Sequence, residues 1–332
     1  MRSPFPQNVL VSSAGRRVAL LRVLRESLVS ARPGAWVGVV DSGFSAPARF
    51  VADHFWAVER CTKPGFENTI IQICQAHEIG LIVPTIDTEL PVFANCRERL
   101  DALGIAVCVS GVATIKVACD KRATSDWLIA NRFPTVRQTS PAEALGHMSD
   151  WKFPLIAKPH DGSASIGVQR INSEYELEYI ANARPDYLIQ EMAKGREFTI
   201  NLFVNRQGKC VCAVPHWRME VRAGEVSKGI TVKDDRLMDL GRSVVEALPD
   251  ARGPLNVQCF LDEDGTLAII EINARFGGGY PLAHQAGARF TDWLLAEQEG
   301  REIAPFDDWT DDLAMLRYDD SVFVSGSSVT RL

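Results

Sequence analysis

The sequence predicts an α/β chain that gives way to α+β: a doubly wound parallel sheet first, then more antiparallel strands. Three observations carry this. Residues 8–115 alternate short apolar runs with stretches of helical spacing, as βαβ units do. Gly15, Asp41 and Thr85-Ile86-Asp87-Thr88-Glu89 fall just after the apolar runs, where doubly wound sheets take their ligands. Residues 255–273 are two apolar runs around the turn Asp262-Glu263-Asp264-Gly265, the pattern of a β-hairpin.

In chain order, Asn8–Ser12 is a short strand, Arg17–Val29 is helical, and Trp36–Val40 is a strand ending at Asp41. Thr69–His77 is helical, Leu81–Val83 is a buried strand, Leu90–Leu103 is helical and Ala106–Val109 is a strand. The first turn, Ser12-Ser13-Ala14-Gly15-Arg16-Arg17, has one glycine and lacks the G-x-G-x-x-G of dinucleotide sites. Asp87 and Glu89 suit either a small ligand or a cap on the helix near Leu90. A helix covers Asp120 to Ala130, and Ser140 with Glu143 forms a capping box for the next. Strands Leu155–Lys158, Val168–Ile171 and Tyr187–Gln190, with a helix over 173–182, make a small α/β unit, and a longer α+β unit runs from 197 to the end. Ser325–Leu332 is polar and expected to fray.

The composition is that of an ordinary globular protein: 332 residues, 46% hydrophobic and 23% charged. A net charge of -6 gives no electrostatic case for nucleic acid. The eight cysteines show no Cys-x-x-Cys and the six histidines no metal spacing. No apolar window is long enough to span a membrane, and Val9-Leu10-Val11 is too short for a secretory signal, so a cytoplasmic protein is expected.

The hairpin carries the most chemistry. Strand alternation, with Leu261 opposite Thr266 and Asn256 opposite Glu271, puts Asn256, Gln258, Glu271 and Asn273 on one face, backed by Val257, Cys259, Ala268, Ile270 and Ile272. Oxygen donors with a single carboxylate suit Mg²⁺ that draws its other ligands from water and phosphate. A half-solvated strand face is the alternative. Lys158 ends a strand and leads into Asp161-Gly162-Ser163-Ala164-Ser165-Ile166-Gly167, a small-residue loop that suits an anion or is simply a hairpin tip. Lys121 by itself would be an ordinary solvated helix charge. The strand Tyr187–Gln190, the break at Lys194-Gly195 and Glu197 beyond could hold a flat purine and its ribose. Arg275 leaves the same strand end as the hairpin donors and could stabilise a transferring phosphoryl group. Gly277-Gly278-Gly279 demands unusual backbone angles or close approach.

Together and in this order, these segments resemble the ATP-grasp superfamily, above all its carbamoyl-phosphate synthase large-subunit-like and pyrrolysine-biosynthesis-type members. Val9–Arg17 and Val83–Leu90 look like the pre-ATP-grasp domain of that group. The resemblance implies a Rossmann-like pre-ATP-grasp domain over 1–115 and a two-part ATP-grasp domain over 116–332, with a mobile lid at about 135–188. It implies that Lys121 and Lys158 contact nucleotide phosphates and that Gly162, Ser163, Ser165 and Gly167 cover them. Glu191, Met192 and Ala193 would form the adenine hinge and Glu197 would hold ribose. Gln258, Glu271 and Asn273 would hold Mg²⁺, with Mn²⁺ able to substitute. Many members have a carboxylate at the position of Gln258, whereas the carbamoyl-phosphate synthases have glutamine. Arg275 and, from the segment Arg218–Lys228, Lys228 would be catalytic, with Arg218 and Arg222 as further candidates.

The activity so implied is ATP-dependent ligation, in which a carboxylate becomes an acylphosphate and an amine displaces phosphate. The expected partners are small-molecule carboxylate and amine substrates, with no nucleic acid and no membrane, and a homodimer is compatible with the superfamily. Phosphorylation of bicarbonate or carbamate, and a non-catalytic ATP-binding regulator, are the alternatives.

Overall fold

The computed structural model describes residues 7–161 and 166–330. Gly162, Ser163 and Ser165, expected over the phosphates, lie outside the described residues.

The first sheet is parallel, with strands β1 (Asn8–Ser12), β2 (Val37–Asp41), β3 (His54–Ala57), β4 (Ile79–Pro84) and β5 (Ala106–Val107) in the order β3-β2-β1-β4-β5. Helices α1 (Val18–Ala31), α2 (Phe66–Ala76) and α3 (Leu90–Ala102) connect its strands. The central strands β1 and β4 are buried throughout, which is why they read as unbroken apolar runs. Sequence pattern missed β3. Its residues are exposed or half-buried at the sheet edge, so no buried run marks it.

Helices α4 (Val112–Cys119) and α5 (Lys121–Ala130) lead into a second sheet. It holds β6 (Gln138–Thr139), β7 (Leu155–Pro159), β8 (Gln169–Ile171) and β9 (Tyr187–Glu191) in the order β6-β9-β7-β8, with every pair antiparallel. Helices α6 (Pro141–Gly146), opened by the Ser140–Glu143 capping box, and α7 (Glu174–Ala183) pack on it. The unit has its own small core of Ala144, Trp151, Leu155, Ala157, Ile171, Leu177, Ile180 and Ile189, separate from the main one.

The third sheet comprises β10 (Arg196–Val204), β11 (Cys210–Arg222), β12 (Glu225–Thr231), β13 (Gly253–Leu261), β14 (Leu267–Asn273) and β15 (Ala314–Leu316), ordered β14-β13-β10-β11-β12-β15. Helices α8 (Asp235–Ala247), α9 (Tyr280–Gln285) and α10 (Phe290–Gln298) accompany it. The main core runs continuously from the first sheet into the third. Near the end of the described residues, Arg49 donates to the Ser328 carbonyl at 2.6 Å.

The β13–β14 register corrects the expectation from sequence. Leu261 pairs with Leu267, not Thr266, and after a bulge Gln258 lies opposite Glu271 and Asn256 opposite Asn273, not opposite Glu271 as expected. The bulge puts one extra residue into β14, so the alternation breaks there. Ile269 therefore turns into the core and Ile270 toward the cleft, the reverse of strict alternation.

Candidate active site

The three sheets enclose a cleft of about 650 Å³. Its walls come from the loops after β1 and β4, from β7 and β9, from β10 to β14, and from Gly277–Gly279. Asn256, Gln258, Glu271 and Asn273 all line it, as does Arg275. The bulge thus changes which neighbours accompany these donors but not the direction they face. Asn256 also donates to the Arg275 carbonyl at 2.9 Å, which fixes the chain as it leaves β14.

Both expected lysines reach the cleft, and local structure explains how. The Asp120 side chain caps α5 by accepting from the Arg122 and Ala123 N–H groups, so Lys121 is the first helical residue. Lys121 N–H bonds to the His160 carbonyl at 2.8 Å, just past the β7 strand that carries Lys158. The Asp120 carboxylate is 3.2 Å from His160 Nδ1. One turn therefore pins both lysine-bearing segments together. Lys121 Nζ is 3.8 Å from Glu271 Oε1. Lys158 is 7% exposed, and burial, together with the Lys121 charge, lowers its pKa to about 8, Glu271 opposing. The Gln190 side-chain carbonyl beside it is buried with no hydrogen-bond partner among the described residues. A buried acceptor left in that state is costly unless a ligand satisfies it.

Met192 and Ala193 line the same end of the cleft; Glu191 and Gly167 do not. Glu191 is held through its backbone N–H by the Arg137 carbonyl at 3.0 Å. Gly167 has φ +77, and Tyr187 Oη would meet a β-carbon there at 2.7 Å, so its glycine serves the turn. Glu197 lines the cleft but is ion-paired with Arg218 at 2.9 Å. Burial pushes the Glu197 carboxyl above its ordinary value, with Arg218 pulling the other way.

The opposite end is built by the first sheet. Arg275 makes a two-pronged bond to Asp87, Nε to Oδ1 at 2.9 Å and Nη2 to Oδ2 at 2.7 Å. Burial opposes the Arg275 charge, but Asp87, helped by Glu271 and Glu225, holds the guanidinium above its ordinary value. Asp87 is thus neither a helix cap nor a free ligand group. Glu89 is fully buried and accepts from the Ser12 and Ser13 hydroxyls at 2.6 and 2.8 Å and from the Thr85 and Ile86 N–H groups at 2.7 and 3.2 Å. It locks the ends of β1 and β4 together. Glu225 bonds Arg17 at 2.8 Å and Arg317 at 3.0 Å. Burial works against the Glu225 charge, yet the two arginines keep its carboxyl below the ordinary value.

The three glycines are there for close approach. A β-carbon would fall 3.0 Å from Asn256 Nδ2 at Gly277, 2.6 Å from Glu225 Cδ at Gly278, and 2.6 Å from the His216 ring at Gly279. His216 is fully buried, with Nδ1 3.0 Å from Asn201 Nδ2, and burial lowers its pKa to about 3.

Lys228 does not belong to this arrangement. It lies opposite Glu220 in the β11–β12 ladder, pairs with it at 2.7 Å and is 48% exposed, outside the cleft lining. Arg222 likewise points away, pairing with Asp319 at 2.8 Å. The β11–β12 ladder is irregular between Arg218 and Val221, so strict alternation does not carry the cleft-facing direction of Arg218 along the strand to Arg222. Sequence reasoning missed Arg16, Arg17, Glu225, Arg317 and His216. Only the consecutive glycines hinted at the crowding that Glu225 and His216 create.

This cleft, with its two lysines, a hairpin of oxygen donors and a separately cored flap, is built largely from a stretch of the chain that carries an ATP-grasp domain. Residues 118–279 match the family described as "ATP-grasp domain", and residues 9–108 that described as "PylC-like, N-terminal domain". The D-alanine–D-alanine ligase of Pseudomonas entomophila is 28% identical over 221 residues, 59% of this chain and 69% of that ligase. Among solved structures, the biotin carboxylase domain of Hydrogenobacter thermophilus 2-oxoglutarate carboxylase, determined with MgADP, ADP and bicarbonate, superposes with a TM-score of 0.72 at 17% identity, covering 94% of this chain and 74% of that one. The L-amino acid ligase of Bacillus licheniformis gives 0.64 at 18% identity, covering 89% and 75%. These structural likenesses bear on fold. Among the described residues no helix is long and apolar enough to cross a membrane.

Proposed function

We propose that this chain is an ATP-dependent carboxylate–amine ligase that works through an acylphosphate. The observation that carries this reading is the convergence of Lys121, Lys158, Gln258, Glu271, Asn273 and Arg275 on one cleft. ATP would lie with its adenine by Met192 and Ala193, where the unsatisfied Gln190 carbonyl would accept from a nucleotide donor. Lys121 and Lys158 would hold phosphate oxygens. Glu197, freed from or shared with Arg218, would take ribose hydroxyls.

The donor set fits Mg²⁺. Gln258, Glu271 and Asn273 offer oxygens only, one of them from a carboxylate, and the register brings Gln258 and Glu271 face to face. Mg²⁺ held there would offset phosphate charge, and Mn²⁺ would serve in its place. Arg275, oriented by Asp87, would face the transferring phosphoryl group. Catalysis is then positioning and electrostatics, with no protein nucleophile required.

In this reading residues 1–115 and 116–332 are the two domains. The unit at about 135–188, with its own core, closes as a lid to exclude water from the acylphosphate. A homodimer and a reducing cytoplasmic setting, which suits eight free cysteines, complete the proposal. The test is a screen of amino-acid pairs for ADP release with mass detection of a condensed product. A product lighter by one water than its two substrates supports the ligase. Bicarbonate-stimulated ADP release without an amine would move the reading to carboxy-phosphate chemistry, and ATP binding without ADP release in any mixture would move it to a regulator.

A further inference from the structure

A second cavity, of about 730 Å³, opens where the first sheet meets the third and shares no lining residue with the active cleft. β5 and α3 wall it on one side, the start of β13 and the end of α10 on the other. Leu81, Val107, Val109 and Leu294 give it an apolar floor. Most charged groups of the wall are paired. Glu299 is shared by Arg32 at 3.3 Å and Arg301 at 2.8 Å, and Asp250 takes Arg97 Nη2 at 2.6 Å and Arg252 Nε at 2.8 Å. Glu297 accepts the Arg206 N–H at 2.8 Å; burial pushes its carboxyl up, with the Arg206 and Arg252 charges pulling the other way. Groups of both signs remain without a bonded partner among the described residues. The Arg206 guanidinium and the Asp101 carboxylate are exposed, whereas Arg97 Nη1 is shut off from solvent. Arg97 and Asp101 are four residues apart on α3 and so share one helix face, their β-carbons about 5–6 Å apart. The ion pair usual between such positions is forgone, because Arg97 reaches across to Asp250 instead.

We propose that this cavity binds a zwitterion with an apolar body, its carboxylate held by Arg97 and its ammonium by Asp101. A bare anion on Arg97 would bring its charge up to Asp101, and a bare cation on Asp101 would meet Arg97. A ligand of both signs answers both. The two contributions differ in size. Arg97 Nη1 has already lost its water, so a carboxylate there meets a donor that nothing else satisfies. Asp101 is in water and must give it up, so an ammonium gains less. The apolar floor takes the body of the ligand. A free α-amino acid and a short peptide with both ends free share this chemistry, and the volume admits either. None of these residues lines the active cleft, so the proposal does not depend on the ligase reading.

Calorimetry on the full chain, with Mg²⁺ and a non-hydrolysable ATP analogue present, tests this with L-leucine and L-leucyl-L-leucine as probes. At least one should bind, and the tighter identifies the source. Converting its carboxylate to a primary amide should weaken binding about tenfold or more. Removing its amino group should weaken binding about threefold. Asp101→Asn, at an exposed position without a bonded partner, should abolish that second difference and leave the affinity of the deaminated analogue as it was. Binding of neither probe at millimolar concentration overturns the proposal. So does an amide that binds as well as the acid. An amino-group preference that survives in Asp101→Asn also overturns it, because the ligand then sits elsewhere.

Discussion

The two ends of the cleft are built on opposite principles. The nucleotide end is assembled from short-range geometry: a capped helix, one strand and one hairpin put Lys121, Lys158, Gln258 and Glu271 in place. The end at the first sheet is assembled from ion pairs between residues far apart in the chain. Arg275 meets Asp87 across 188 positions, and Glu225 meets Arg17 and Arg317 from opposite directions. The first kind of site rests on a helix cap and backbone ladders, whereas the second rests on side-chain ion pairs where the first sheet meets the third across their shared core. Substitutions at the nucleotide end should therefore act on chemistry alone. Substitutions at the other end should disturb chemistry and the packing of the first sheet on the third together.

Glu271→Ala gives the largest expected effect at the nucleotide end. It removes the one carboxylate of the donor set, and turnover should fall on the order of 10³-fold. Because Glu271 is half-exposed and its strand is held by the ladder to β13, the thermal midpoint should barely move. Retained turnover would remove Glu271 from the metal site.

Gly279→Ala probes the other end and comes next. The new β-carbon would fall within 2.7 Å of two atoms of the buried His216 ring, which has little room to retreat. The loop must shift instead, and a displacement of about 1 Å beside reacting groups costs about 10²-fold in kcat. The double variant Gly279→Ala with His216→Ala should recover part of that loss, since the obstructing ring is gone. Failure of the double variant to recover anything would show that the glycine serves some contact other than His216.

This contrast also explains what was legible in the sequence. Period-2 alternation and one turn were enough to put Asn256, Gln258, Glu271 and Asn273 on a common face. The bulge was not legible, because a one-residue slip of the ladder leaves composition and turn signals unchanged; Ile269 and Ile270 consequently exchanged roles. Helices were legible from their spacing and from caps such as Ser140 with Glu143. Asp87 sits one turn before a helix, so capping was a fair local expectation, yet its actual partner lies at the far end of another domain. Arg16, Arg17 and Glu225 carry no local pattern at all. Ion pairs of that span depend on how domains meet, and hydrophobic periodicity does not encode the meeting.

Lys158 ranks below the glycine. Lys158→Ala should weaken ATP binding about tenfold or more, the loss of a charge-assisted contact. The pH dependence sharpens the test. With a pKa lowered to about 8, Lys158 is a cation below that pH and neutral above it. Phosphate favours the cation, so ATP affinity should be full below about pH 8 and decline as pH rises through it. Lys158→Arg should flatten the decline, because guanidinium stays charged. A binding profile flat to pH 9.5 in the unaltered protein would place Lys158 away from the phosphates.

Lys228→Ala should have the smallest effect, and it tests whether the boundary of the site is drawn correctly. Lys228 and Glu220 face each other in an exposed ladder pair, and such pairs contribute little. If the cleft works as it stands, kcat/KM should stay within about twofold. A loss of about tenfold or more would carry a different lesson. The β11–β12 turn at Ala223 and Gly224, both with positive φ, would then have to fold over the nucleotide during turnover and carry Lys228 with it. The same motion would have to part Arg218 from the Gly224 carbonyl, a bond of 3.2 Å. Arg218 would then be free to release Glu197, joining the two ends of the cleft through one hairpin.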